Sequence, residues 1–297
     1  MATTQSIDEL LPPQLLARLE RMELVSRKVF RGRMKGERRS LRKGQSVEFA
    51  DYRNYTPGDD LRFVDWNLYA RLDKLFLKLF LEEEDLHVFF LIDSSPSMGF
   101  GEPSKFFAAK QVAASLGFVG MCRGDRVHME FLGAENKPSP VLRGKSSLHR
   151  MTQFIDSAEP DQLFDLTDAV KRFCLRNTGR GIVVLLTDLM DKSGYESALR
   201  LLVGRQMDVF VMHILSPEEF EPEINGDLKL VDCEDEDEAE VSVSGALIRR
   251  YKATLASFVE EAKRFCAKRD MTYVLSRSDQ GADVIVGQYL RQRGLVR

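Results

Sequence analysis

Three residues in the first third of the chain have the types and the spacing that suit a bound metal ion. Asp93, Ser95 and Ser97 stand at alternate positions directly after the apolar run 86–92. Side chains at alternate positions of an extended segment point the same way, so one carboxylate and two hydroxyl oxygens are offered together. Such oxygen donors suit Mg²⁺, which binds few carboxylates and keeps several waters. On this pattern alone the commoner role is structural, because Asp and Ser also bind loop amides and cap helices.

A second carboxylate, Asp188, follows another apolar run at residues 182–186. In an open α/β sheet, ligands gather in the crevice outside the carboxyl ends of the strands. Two such strand ends can lie within reach of one ion. We therefore expect Asp188 to join Asp93, Ser95 and Ser97 in one metal site.

The elements that must position these residues are predicted from the apolar pattern after residue 85. Apolar runs without alternation occur at residues 86–92, 182–187 and 208–215, and they are typical of strands covered on both faces. Between and after them lie segments with helical spacing, around residues 106–118 and 251–262. This order predicts an α/β fold, with a mostly parallel sheet and helices on both faces.

The first 84 residues have a different pattern. A short helix near residues 14–20 is followed by a basic segment, and residues 75–81 alternate as a strand outside the βαβ pattern. We expect residues 1–84 to be an N-terminal, β-containing extension packed onto an α/β domain at residues 85–297.

Composition narrows the class of protein. The 297 residues carry 43 Lys and Arg against 46 Asp and Glu, a net charge of −3, which argues against a nucleic-acid or membrane binder. No apolar stretch approaches the length of a transmembrane helix, no signal peptide is visible, and the four cysteines include no Cys-x-x-Cys pair. We expect a cytoplasmic protein with no membrane partner, and nucleic acid is an unlikely one.

Charge is nonetheless segregated along the chain. Residues 27–43 contain nine basic residues and one acid, and residues 218–240 contain twelve acids and one base. Such runs are typical of solvated loops or interaction faces, and the sequence leaves their role open.

Catalytic signatures are missing from the sequence. It contains no phosphate-binding loop and no Gly-x-Ser-x-Gly elbow, and three of its four histidines fall within apolar strand runs. No general base can be named beside Ser95 or Ser97. We therefore name no catalytic residue and favour binding over catalysis.

Two resemblances extend this interpretation. The Asp-x-Ser-x-Ser loop resembles the metal-ion-dependent adhesion site of von Willebrand factor A domains, which implies Asp93, Ser95, Ser97 and Asp188 as metal residues. The stretch Glu-Phe-Ala-Asp-Tyr-Arg-Asn-Tyr-Thr-Pro-Gly-Asp-Asp-Leu-Arg-Phe-Val-Asp-Trp-Asn at residues 48–67, with Ala-Arg at 70–71 and Glu-Glu-Glu at 82–84, resembles the bacterial family called domain of unknown function 58. That family implies a von Willebrand A-like (Rossmann-type) fold, no established reaction, and association with MoxR-type AAA+ ATPases.

One departure from the family pattern affects the metal. The third metal element usually carries a Thr ligand before a helix, and here the matching position is Phe164, with Asp165 and Thr167 as nearby substitutes. A phenyl ring cannot coordinate a cation, so we expect weak Mg²⁺ binding at a degenerate site.

The resulting expectation is a non-enzymatic interaction module. The resemblance implies an adaptor that acts with a MoxR-type AAA+ ATPase, and the two oppositely charged segments are available for docking. The alternative is an Mg-dependent hydrolase or phosphoryl-transfer enzyme at Asp93 and Asp188.

Overall fold

The computed structural model describes residues 10–25, 48–81, 86–161, 163–177, 181–224, 226–233, 238–291 and 294–296. In chain order, its helices and strands are α1 Pro13–Leu19, β1 Glu48–Asn54, α2 Trp66–Leu72, β2 Phe76–Leu81, β3 His87–Asp93, α3 Lys105–Arg123, β4 Arg126–Leu132, β5 Lys137–Pro138, α4 Leu148–Asp156, α5 Leu166–Arg176, β6 Ile182–Thr187, α6 Glu196–Gly204, β7 Asp208–Leu215, α7 Pro217–Phe220, β8 Gly226–Val231, β9 Glu238–Val243, α8 Gly245–Ala267, β10 Thr272–Arg277 and α9 Ala282–Val284. The chain divides into two compact units, one of residues 1–28 with 86–297 and one of residues 29–85.

The larger unit is built on a sheet whose described strands have the order β10-β7-β6-β3-β4-β5. All neighbouring pairs are parallel except β4 and the short edge strand β5. The strands predicted at residues 86–92, 182–187 and 208–215 are β3, β6 and β7. The expected fold class is therefore confirmed, an α/β fold of the von Willebrand A-like type with a mostly parallel sheet.

Both faces of this sheet are covered, which explains the continuous apolar runs. Along β3, Phe90 and Ile92 belong to the core on one face of the sheet, together with α3. Phe89 and Leu91 belong to the core on the other face, together with α5 and α6. None of the helices in the described part of the chain combines the length and apolar composition needed to cross a bilayer.

The short helix expected near residues 14–20 is α1, and it packs in the larger unit. Leu15 and Leu19 lie in the same core as Phe90, and Leu24 forms a β-bridge with Val296. The division expected from the sequence placed residues 1–84 together as one extension. Apolar burial instead joins the described residues before 26 to the α/β unit.

The smaller unit contains the strand expected at residues 75–81. That strand, β2, pairs antiparallel with β1 and stands outside the parallel sheet. Asp65 caps α2 by accepting hydrogen bonds from the amides of Asn67 and Leu68, and its carboxylate also pairs with Lys78. The basic residues 27–43 lie outside the described part of the chain.

The acidic stretch at residues 218–240 is more ordered than a solvated loop. Its described residues include most of α7, all of β8 and the start of β9, and β8 pairs antiparallel with β9. Residues 225 and 234–237 lie outside the described ranges.

Candidate strand-end site

Asp93 is the last residue of β3 and is almost fully buried, with 5% of its surface exposed. Its Oδ1 accepts a hydrogen bond from the Ser95 amide at 2.9 Å, and its Oδ2 accepts one from the Thr187 hydroxyl at 2.6 Å. Because β3 and β6 are neighbouring parallel strands, the second bond joins two strand ends. The carboxylate is thereby held in one orientation.

The two serines expected to accompany Asp93 lie side by side. The Oγ atoms of Ser95 and Ser97 are 3.0 Å apart. Ser94, which stands between Asp93 and Ser95, donates its hydroxyl to the carbonyl of Leu132 at the end of β4. The hydroxyls of Ser95 and Ser97 therefore lie together, and the hydroxyl of Ser94 is directed to β4 instead.

Asp188 follows β6 and binds a lysine that sequence reasoning missed. Its Oδ1 accepts a hydrogen bond from the Met190 amide at 3.1 Å, and its Oδ2 lies 2.8 Å from the ammonium of Lys105. Lys105 is the first residue of α3 and is 1% exposed. Its Nζ also lies 2.6 Å from Glu219 Oε1, so one ammonium joins two carboxylates.

The local sequence explains why Lys105 and Glu219 take these positions. Ser104 caps α3 by accepting the Phe107 amide, which starts the helix beside the strand ends and brings the next side chain to Asp188. Ser216 and Glu219 form a reciprocal capping box at the start of α7. The one signal for this arrangement was a lysine at the first position of a mostly apolar helix.

Burial and neighbouring charge alter the acidity of these groups. Burial, and after it the negative charge of Asp188, raise the pKa of Asp93 to about 6. Burial alone lowers the pKa of Lys105, but the carboxylates of Asp188 and Glu219 outweigh it and leave that pKa above its ordinary value. The ammonium therefore stays charged and offsets part of the negative charge of the two carboxylates that contact it.

The turn after Asp188 carries backbone strain. Leu189 has a φ of 59°, in the left-handed region that side chains other than glycine rarely adopt, at a cost on the order of 1 kcal/mol. The Leu189 amide donates to Thr187 Oγ1, and the leucine side chain is buried in the core. These contacts stabilise the strained turn, and the turn keeps Asp188 beside Lys105.

An open cavity of about 360 Å³ lies at the strand ends. Its lining consists of Asp93, Ser95, Leu163, Phe164, Asp165, Leu166, Asp191, Lys192 and Ser193. Phe164, at the position where the family resemblance implies a Thr ligand, thus lines the same cavity as Asp93 and Ser95. It also packs against the core on one face of the sheet, so the ring has a structural role there.

Asp165, the nearest substitute for the missing ligand, is already engaged. Its Oδ1 accepts the Asp168 amide at 2.8 Å as the N-cap of α5, and this hydrogen bond lowers its pKa. Asp191 likewise accepts the Leu166 amide at 2.6 Å. Both carboxylates hold the wall of the cavity in place.

The donor set at the strand ends fits Mg²⁺ in part. In the ranges that the structure describes, no three His, Cys, Asp or Glu side chains are grouped to hold a metal ion. Asp93, Ser95 and Ser97 instead offer one carboxylate and two hydroxyls, a set that Mg²⁺ accepts when waters complete its shell. Asp188, predicted as a fourth metal residue, has one oxygen bonded to the Lys105 ammonium.

The strand order, the antiparallel edge strand and the Asp-x-Ser-x-Ser loop define a von Willebrand A-like α/β domain. The chain belongs to the family described as protein of unknown function DUF58, whose model matches residues 51–261. The resemblance identified from residues 48–67 is thereby confirmed as family membership.

Several known proteins are similar to this chain. Uncharacterized proteins of Mycobacterium bovis and Mycobacterium tuberculosis are each 26% identical over 290 residues, covering 95% of this chain and 91% of theirs. BatB from Bacteroides thetaiotaomicron matches with a TM-score of 0.42 and 16% identity, over 70% of this chain and 98% of that one. An aerotolerance-related membrane protein from Bacteroides fragilis matches with a TM-score of 0.45 and 17% identity, over 71% and 98%. These scores are too low to decide the fold, which rests on the strand order and direction.

Proposed function

We propose that the chain is a non-enzymatic protein-interaction module, an adaptor that acts with a MoxR-type AAA+ ATPase. The partner binds at the strand-end site, while the ATPase supplies the nucleotide chemistry. Membership of the family is compatible with this role, because the resemblance stated above implies such an ATPase as partner.

The observation that carries the proposal is the contrast between the open cavity and the fixed groups behind it. Asp93 and Ser95 line the cavity. Thr187 and Lys105 do not line it, and they bond to the carboxylates of Asp93 and Asp188 respectively. The ionisable residues that line the cavity already have hydrogen-bond or ion-pair partners within the chain, and they are Asp93, Asp165, Asp191 and Lys192. A rigid set of oxygen acceptors suits recognition of a partner.

We also propose that this site holds Mg²⁺ weakly through Asp93, Ser95 and Ser97. When bound, the ion would supply an open coordination position for an oxygen of the partner. Asp188 contributes negative charge nearby, but its contact with Lys105 keeps it from serving as a free ligand.

Calorimetry with Mg²⁺ tests the metal. The wild type should bind weakly, Asp93→Ala should lose the heat, and Ser94→Ala should behave as the wild type because Ser94 bonds to Leu132. Equal heats from the wild type and Asp93→Ala would remove the metal from the proposal.

Interferometry with a purified MoxR-type ATPase from the same genome tests the adaptor role. The wild type should bind, and Asp93→Ala should dissociate at least tenfold faster in Mg²⁺, with Ser94→Ala as the matched control. No binding of the wild type, at low salt and with nucleotide present, would contradict the adaptor role.

The raised pKa of Asp93 favours one second candidate, an Mg-dependent hydrolase or phosphoryl-transfer enzyme. A carboxyl group with a pKa of about 6 can act as a general base near neutral pH. Both of its oxygens, however, already accept hydrogen bonds from Ser95 and Thr187. Turnover of p-nitrophenyl phosphate by the purified chain in Mg²⁺, lost in Asp93→Ala, would replace the adaptor role with this one.

A further inference from the structure

The β8–β9 hairpin has one apolar face and one polar face. Directly opposed residues of an antiparallel pair place their side chains on the same face. Leu228 is paired with Val241, Leu230 with Ala239, and Gly226 with Val243, so these residues form the apolar face. The other face carries the pairs Asp227 with Ser242, Lys229 with Glu240, and Val231 with Glu238.

This apolar face is poorly covered. Leu230 is 46% exposed, and Leu228, Val241 and Val243 are only half-buried. Among the described residues, no third strand pairs with β8 or β9. A two-stranded hairpin is marginally stable in water, and it needs packing against another surface to become firmly stable.

The negative charge of the hairpin determines what kind of surface can cover its apolar face. Residues 226–243 contain eight acidic residues and one lysine, and the acids are Asp227, Asp232, Glu234, Asp235, Glu236, Asp237, Glu238 and Glu240. Lys229 is already paired with Glu238 at 2.6 Å. The described strand acids Asp227, Glu238 and Glu240 lie on the polar face, so the charge of the hairpin attracts a basic partner at long range. The same charge excludes an acidic surface and a nucleic acid.

The hairpin is continuous with the strand-end cavity. Asp232, the residue after β8, has its Oδ2 3.1 Å from Nζ of Lys192, and Lys192 lines the cavity. A partner that reaches the cavity through the proposed function would meet the hairpin at the same time.

We propose that the apolar face of the acidic β8–β9 hairpin is the docking surface for a basic protein partner that presents exposed apolar side chains. The inference rests on the proposed function, because it names the chemistry of the partner that meets the same edge of the sheet. Apolar contact between Leu230 and the partner slows dissociation, and the negative charge of the hairpin speeds association at low salt.

Adjacent residues on opposite faces supply a matched pair of variants. Leu230→Ser changes the apolar face, and Val231→Ser makes a similar change at a residue that is 57% exposed on the polar face. A double variant, Glu238→Gln with Glu240→Gln, lowers the negative charge of the polar face. Circular dichroism of each variant checks that the fold is unchanged.

The first probe is a fluorescent twelve-residue peptide of alternating lysine and valine, titrated into the full chain and followed by anisotropy. Leu230→Ser should weaken binding at least tenfold, Val231→Ser should stay within twofold of the wild type, and the double charge variant should flatten the salt dependence. A peptide of alternating glutamate and valine should not bind. Equal affinities of the two serine variants, or binding of the glutamate peptide, would overturn the proposal.

The second probe is the MoxR-type ATPase, which separates this inference from the proposed function. If the ATPase binds the wild type and loses affinity with Leu230→Ser but not with Val231→Ser, both stand. If it binds neither form while the lysine peptide still distinguishes the variants, the adaptor role fails and the docking surface stands. If it binds all forms equally, the docking surface fails. A wild-type dimer in sedimentation that is lost in Leu230→Ser would assign the face to a second copy and overturn the basic partner.

Discussion

At the scale of single residues, the strand-end site depends on one buried ammonium. Lys105 lies between Asp188 and Glu219, and the side chain of Asp188 is 2% exposed, so little water reaches that carboxylate if the lysine is lost. A buried ion pair contributes little net stability compared with an apolar pair, but removal of one partner leaves an unpaired charge at a high cost. The lysine is therefore essential for the arrangement of these acids.

We expect Lys105→Met to destabilise the protein by about 3–5 kcal/mol, because it leaves the charges of Asp188 and Glu219 unpaired. Lys110→Met is the matched control, since Lys110 is buried on the same helix but donates to the carbonyl of Ala158. It should cost less, about 1–3 kcal/mol. Urea unfolding of both variants measures the difference, and equal losses would contradict a special role for Lys105.

The pKa of Asp93 predicts a dependence of stability on pH. The pKa of Asp93 is about 6 in the folded protein and ordinarily 3.8. At pH values between these two, the folded protein keeps a proton on Asp93 that the unfolded chain has lost. The contribution of Asp93 to stability therefore falls as pH rises from about 4 to about 6, by at most about 1.4 kcal/mol per pH unit, and stays low above that. Asp93→Asn removes this contribution.

Unfolding free energies of the wild type and Asp93→Asn, measured from pH 4 to 7 in EDTA, test this expectation. With rising pH, the unfolding free energy of the wild type should fall relative to that of Asp93→Asn. His213 has its pKa lowered to about 4 by burial and acts in the opposite direction, but it is common to both proteins and cancels. A difference that is flat across this range would contradict the raised pKa.

At the scale of the elements, the close approach of neighbouring strands sets the position of the site. Gly181 directly precedes β6, and a Cβ added there would lie 2.3 Å from the carbonyl oxygen of His87 in β3. Only glycine allows the two strands to start in register, and that register carries Asp188 to its place beside Asp93.

We expect Gly181→Ala to destabilise the protein by about 2 kcal/mol or more, because backbone cannot move as a side chain can. Gly204→Ala is the control, since nothing lies within 4 Å of its added Cβ at the end of α6. It should be neutral or stabilising by up to about 1 kcal/mol. Thermal unfolding compares the two, and a neutral Gly181→Ala would show that the strands can separate without loss.

The elements also show what could be predicted from the sequence. The strands β3, β6 and β7 were predictable because both of their faces are buried, which leaves a continuous apolar run. Lys105 was not predictable as a site residue, because its partners lie 83 and 114 residues away in sequence. The dense acids at residues 234–238 concealed the hairpin. Leu228 and Leu230 alternate with polar residues before these acids in the sequence, and Val241 and Val243 do so after them.

At the scale of the whole molecule, the two compact units differ in their cores. In the larger unit, two apolar clusters enclose the parallel sheet. In the described part of the smaller unit, the buried apolar side chains are Val64 and Leu77. Stability should therefore be uneven along the chain.

We expect amides of β1 and β2 to exchange their hydrogens through local opening, at a lower free energy than amides of β3 and β6. Hydrogen exchange followed by mass spectrometry measures this, with peptides from β3 and β6 as the internal reference. Equal protection of the four strands would show that the whole chain unfolds as a single cooperative unit.

The position of Lys105 also links two distant ligands thermodynamically. Its ammonium contacts Asp188 directly after β6 and Glu219 in α7, and β8 begins seven residues after Glu219. If the proposed cation binds at Asp93, a partner that draws Glu219 away from Lys105 would change the electric field there and so the affinity for the cation. Reciprocity then requires a cation at Asp93 to change the affinity for that partner by the same factor.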